Sequence, residues 1–70
     1  MNMQLREFMA AALKPEIYQR KGQRFANQLT LHRPKLMEAL REAGLDPFHD
    51  DSKLWAAVEW VKQHWEDTDQ

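Results

Sequence analysis

The sequence has no cysteine, only two glycines and three prolines, and no long apolar run. Without cysteine, neither disulfides nor a thiolate zinc site can staple the fold, although chains this small often rely on one or the other. With Gly22 and Gly44 as its only glycines, the chain cannot build a glycine-rich phosphate loop. Its apolar runs fall far short of the ~20 residues that span a bilayer. The opening segment, Met1 to Leu13, also interrupts its apolar pattern with Arg6 and Glu7. Neither a membrane helix nor a signal peptide is therefore expected, and the cytoplasm is the expected location, with which the lack of cysteine agrees.

What is present is ordinary for a globular protein: 43% hydrophobic and 30% charged residues over 70 positions, enough apolar material for one domain. A chain of this length hides only roughly 60% of the surface its unfolded form exposes, so helix packing must supply most of the stability. The net charge of −1 conceals a segregation. Arg20, Lys21, Arg24, Arg33 and Lys35 fall in a stretch without aspartate or glutamate, whereas from Asp46 onward seven acidic residues face only Lys53 and Lys62. The simplest consequence is attraction between the two halves.

Apolar spacing predicts an all-α fold, a compact bundle of three to four short helices in a single domain, ending in a frayed acidic tail over residues 66–70. Leu5, Phe8, Met9 and Ala12 share one face of a first helix, from about Met3 to Leu13. Pro15 breaks it and suits the first position of a second helix, expected from Pro15 to about Leu31 with Tyr18, Gly22, Phe25 and Leu29 inward and a basic outer face. Gly22 lies on the apolar stripe, where a missing side chain would admit a close neighbour; the alternative is a helix that ends near Lys21 and restarts after Gly22.

Pro34 opens a third helix with Leu36, Met37, Leu40 and Ala43 on its apolar face, and Gly44 caps it with Leu45 behind. Asp46 to His49 form a turn, and Asp50, Asp51 and Ser52 offer N-caps for a fourth helix running to Trp65. On that helix Leu54, Val58, Val61 and Trp65 form the core stripe, with Ala57 at its border and Trp55 and Trp60 on opposite flanks.

No pattern of catalytic residues emerges. His49, Asp50 and Asp51 could suggest a metal site, but consecutive residues point in different directions and helix capping already explains the aspartates. His32 and His64 stand alone, and no Ser-His-Asp arrangement has a recognisable context. The reading is no enzyme, no metal and no cofactor.

Two binding classes remain. Protein binding is favoured because Trp60, Leu31, Phe48 and Trp55 exceed what one small core requires; Trp60 is the leading interface residue, and Trp55 is expected to cover an edge of the core. The partner would be another protein or a second copy of the chain. The runner-up is a nucleic-acid-binding regulator using Arg20, Lys21, Arg24, Arg33 and Lys35. Against it stand a pI near 6.3 and the mixed-sign face of helix three.

The run Arg20, Gly22, Gln23, Phe25, Asn27, Leu29, Arg33, Pro34, Leu36, then Asp46, Pro47, Phe48, Asp50, Asp51, and finally Trp60 and Trp65, resembles small accessory proteins of tailed phages and prophages. The resemblance covers about Arg20 to Trp65 and brings no catalytic residues with it. It implies a protein that binds and modulates one host protein.

Overall fold

The computed structural model describes residues 3–15 and 17–66. Among these residues the chain forms four α-helices and one 3-10 turn, with no strand. The expected 67–70 part of the acidic tail lies outside the described residues, as does Glu16.

Helix α1 spans Leu5–Ala12. Its first turn is closed by Glu7, whose Oε1 accepts the Gln4 amide at 3.0 Å, so one otherwise unpaired backbone donor is satisfied. Phe8 and Ala12 are buried, while Leu5 and Met9 pack against the core from its edge.

Helix α2 spans Lys21–His32, six residues later than the start expected at Pro15. Residues 13–15 and 17–20 are irregular, and Arg20 is the extended residue that leads into the helix. The physical reason lies at Gly22. The chain between the third helix and the 3-10 turn crosses directly over it, and a Cβ at this position would fall on the Pro47 carbonyl oxygen. Asp51 then supplies an Oδ1 atom that accepts the Gly22 amide at 3.1 Å. The helix therefore begins where a carboxylate is waiting for its first-turn donors. The close neighbour admitted by the glycine is a loop. Because helix formation starts only at Lys21, Tyr18 leaves the inward stripe on which it was expected and stands 84% exposed.

A single residue, Arg33, separates α2 from α3, Pro34–Glu42. Pro34 takes the first helical position as expected, where its missing amide costs nothing. Leu36, Met37 and Leu40 are buried, but Ala43 is exposed beyond the helix end. Gly44 follows with φ +77°, its amide donating to the Arg41 carbonyl, and the Leu45 amide returns to the Leu40 carbonyl at 3.2 Å. That left-handed residue and the paired bonds end the helix as glycine caps do.

The 3-10 turn Asp51–Lys53 leads into α4, Leu54–His64. Asp50 is its N-cap, accepting the Ser52 amide at 3.0 Å. Asp51, expected to cap the same helix, instead caps α2. Leu54, Ala57, Val58, Val61 and Trp65 are buried along α4, the stripe expected from its spacing.

Helix α2 is the centre of the arrangement, in contact with α1, α3, the 3-10 turn and α4, while α3 also packs on α4. Phe8 of α1, Phe25 of α2 and Trp65 after α4 meet edge-on and tilted, with ring centroids 5.5 Å apart for Phe8–Phe25 and 5.2 Å for Phe8–Trp65. Such pairs add about 0.5–1.5 kcal/mol beyond the area they bury, so this junction binds the first, second and last helices together.

Candidate protein-interaction site

The basic stretch is the first candidate, and each of its arginines bonds a backbone carbonyl, Arg20 at the surface, Arg24 half-buried and Arg33 buried. Arg20 Nη2 donates to the Phe48 carbonyl at 2.7 Å, and Arg24 Nε donates to the Ala11 carbonyl at 2.9 Å. Arg33 Nη2 donates to the Trp65 carbonyl at 2.7 Å while its guanidinium lies 4.4 Å from the Trp65 ring centroid. Ala11 and Trp65 sit at the C-terminal ends of α1 and α4, where carbonyls lack helical partners and the helix dipole favours a cation. Three arginines that sequence reasoning offered to phosphates therefore hold carbonyls of three other segments. Arg33, buried at the α2–α3 corner, is out of reach of any external strand. Lys21 and Lys35 are exposed.

Among the described residues the basic stretch meets the acidic part through hydrogen bonds, from Arg20 and Arg33 to the carbonyls of Phe48 and Trp65 and from the Gly22 amide to Asp51. The His49–Asp50–Asp51 cluster is likewise accounted for by hydrogen bonding. Asp50 accepts both the amide and the hydroxyl of Ser52, and its carboxyl is held below the ordinary aspartate range by those two bonds, the hydroxyl's first, with a smaller contribution from the Lys53 charge. His49 packs edge-on against Phe48.

The four aromatic and aliphatic candidates separate. Trp60 is half-buried against the core and stacks on His64 with centroids 4.2 Å apart. His64 Nδ1 lies 2.7 Å from the Trp60 carbonyl, which fixes the stack. Phe48 is also half-buried against the core. Leu31 is 68% exposed near the C-terminal end of α2. Trp55 is 62% exposed, the reverse of the expectation that it covers the core while Trp60 is left outside. The reason is the shorter α2. Residues 17–20, expected within its first half, are irregular, and the flank of α4 that carries Trp55 borders an open depression beside Ala12, Leu13, Lys14 and Lys21.

Comparison with protein-family models, with curated proteins and with solved structures finds no match to this chain.

Trp55 forms one wall of an open depression of about 90 Å³ together with Ala12, Leu13 and Leu54, and Lys14 and Lys21 stand at its edge. Ile17 and Tyr18, 87% and 84% exposed, lie in the connection between those two lysines. From Lys21 to Leu31 the helix rises about 15 Å, so Leu31 belongs to the opposite end of α2. Leu13, Lys14 and Ile17 were missed as functional residues in the sequence. The available signal was Pro15: once the proline breaks the helix, the adjacent apolar residues Ile17 and Tyr18 need not share its periodicity.

Proposed function

We propose that the chain is a non-enzymatic protein-interaction module, a phage-type accessory protein that works by occupying a site on a host protein. The observation that carries this reading is the exposure of Trp55 at the wall of an apolar depression. Tryptophan is enriched at interface hot spots because one rigid side chain removes a large area from water. A domain with so little core to spare gains nothing for its own stability by leaving Trp55, Ile17 and Tyr18 in solvent. The phage resemblance supplies the biological context. The interface is centred on Trp55 and Leu13, while Trp60 and Phe48 belong to the fold.

The test is affinity capture from lysate of the native host with three baits: the native chain, Trp55→Ser combined with Leu13→Ser, and Leu31→Ser. Capture of one host protein by the native chain and the Leu31 variant, with loss on the double variant, is the expected result. Retention on the double variant with loss on Leu31→Ser would move the interface to the other end of α2. Retention on both variants would remove the apolar patches from the reading.

A further inference from the structure

The depression at Trp55 has a chemical asymmetry. Its walls are the apolar side chains of Ala12, Leu13, Leu54 and Trp55, its edge carries two cations, Lys14 and Lys21, and no acidic residue lines it. Both lysines are exposed, and among the described residues no carboxylate pairs with either. Lys21 is also the first residue of α2, where the Asp51 carboxylate on the Gly22 amide offsets the helix dipole, so the positive charge at this edge is that of the two lysines. Arg20 and Arg24, the neighbouring cations, are each anchored to a backbone carbonyl, of Phe48 and Ala11, and do not line the depression.

We infer that this depression receives one bulky apolar side chain from an acidic segment of the partner protein, with Asp or Glu flanking the anchor against Lys14 and Lys21. The inference rests on the interaction reading above and adds the chemistry of the partner. Size argues for a single side chain. About 90 Å³ is well below the roughly 300–1,000 Å³ typical of sites that enclose a small molecule. Charge argues for carboxylates on the partner, because two cations with no ion-pair partner among the described residues attract them and steer their approach. A second copy of the chain is the poorer fit. A two-fold contact through this face would bring four lysines, Lys14 and Lys21 of each copy, into one interface whose lining carries no acidic residue. Single-stranded nucleic acid would use Trp55 as a stacking platform, but here the ring forms one wall of a recess shared with Leu13 and Leu54 rather than a flat shelf.

The experiment selects binders to the full chain from a random-peptide display library and measures the enriched peptides by fluorescence anisotropy. The expected peptides carry a leucine, methionine or aromatic residue flanked by Asp or Glu. Their affinity falls at least tenfold on Trp55→Ala and by about tenfold on Lys14→Glu with Lys21→Glu, roughly threefold for each exposed pair. It also weakens as salt is raised and is unchanged by Leu31→Ala. The substituted residues are exposed, so all variants should melt with the native chain, which circular dichroism verifies.

Trp55-dependent peptides with no acidic bias, or acidic peptides indifferent to lysine reversal, would overturn the acidic partner and leave the interaction reading standing. An enriched set independent of Trp55, or no enrichment at all, would overturn both. Displacement of the peptides by oligothymidylate that itself binds in a Trp55-dependent way would overturn the inference in favour of nucleic acid, and concentration-dependent self-association abolished by Trp55→Ala would do so in favour of a second copy.

Discussion

Replacing Gly22 with alanine adds one methyl group where the 46–51 segment crosses α2. That methyl would fall on the Pro47 carbonyl oxygen, 2.7 Å from Asp51 Oδ1 and 3.1 Å from the Pro47 carbonyl carbon. The Asp51 side chain can rotate away. The Pro47 backbone cannot, because its ring is buried and the next carbonyl, that of Phe48, is held by Arg20. Forcing the segment outward costs about 1–3 kcal/mol, as overpacking does elsewhere. Losing the Asp51 carboxylate from the Gly22 amide removes a helix cap worth about 1 kcal/mol. Alanine's better helix propensity returns at most about 1 kcal/mol. The net loss is about 2 kcal/mol, and at about 4–8 °C per kcal/mol for a domain of this size the melting temperature should fall by roughly 10–15 °C.

Thermal and urea denaturation followed by circular dichroism measure this directly. Asp51→Ala alone should cost about 1 kcal/mol, but almost nothing in the Gly22→Ala background, where the cap has already gone. If Gly22→Ala melts at or above the native temperature, close passage of the loop over α2 is not what selects glycine there.

Two further outcomes follow from the core and from the Asp50 turn. Val58 is buried on the α4 stripe, and Val58→Asp should abolish cooperative melting, since an unpaired buried charge costs several kcal/mol against a total stability of roughly 4–10 kcal/mol. A normal melt would mean that α4 presents a different face. Asp50 is held ionised by Ser52, so its carboxyl titrates lower in the folded chain than in the unfolded one. The stabilisation is present above the unfolded value, about pH 4, and is lost as pH falls through the lower folded value. Ser52→Ala should raise the Asp50 titration midpoint in a carbon-detected NMR titration and reduce the acid sensitivity of melting; an unmoved midpoint would assign the shift elsewhere.

The helices most legible in the sequence are those whose apolar period and punctuation agree. Leu54, Val58, Val61 and Trp65 at helical spacing behind the Asp50-capped 3-10 turn specify α4, and Pro34 with Gly44 brackets α3. Helix α2 is where local reading fails, because its start is decided by a residue far along the chain. Pro15 and Tyr18 look helical on their own, but Asp51 and the Pro47 carbonyl determine that the helix begins at Lys21. The same long-range decision exchanges the roles of the two flanking tryptophans. It also explains why the basic residues misled: spacing identifies Arg20, Arg24 and Arg33 as cations but is silent on the carbonyls of Phe48, Ala11 and Trp65 that take them up.

The junction of Phe8, Phe25 and Trp65 bears on how the molecule is made. Trp65 closes the core against a residue from the first helix, and Arg33 at the α2–α3 corner depends on its ring and its carbonyl. During synthesis the three preceding helices can emerge and associate loosely, yet Phe8 and Arg33 lack their native cover until residue 65 clears the ribosome. Assembly of the core thus waits on that tryptophan, and a chain cut short before it would keep its aromatic centre open to water and to proteases.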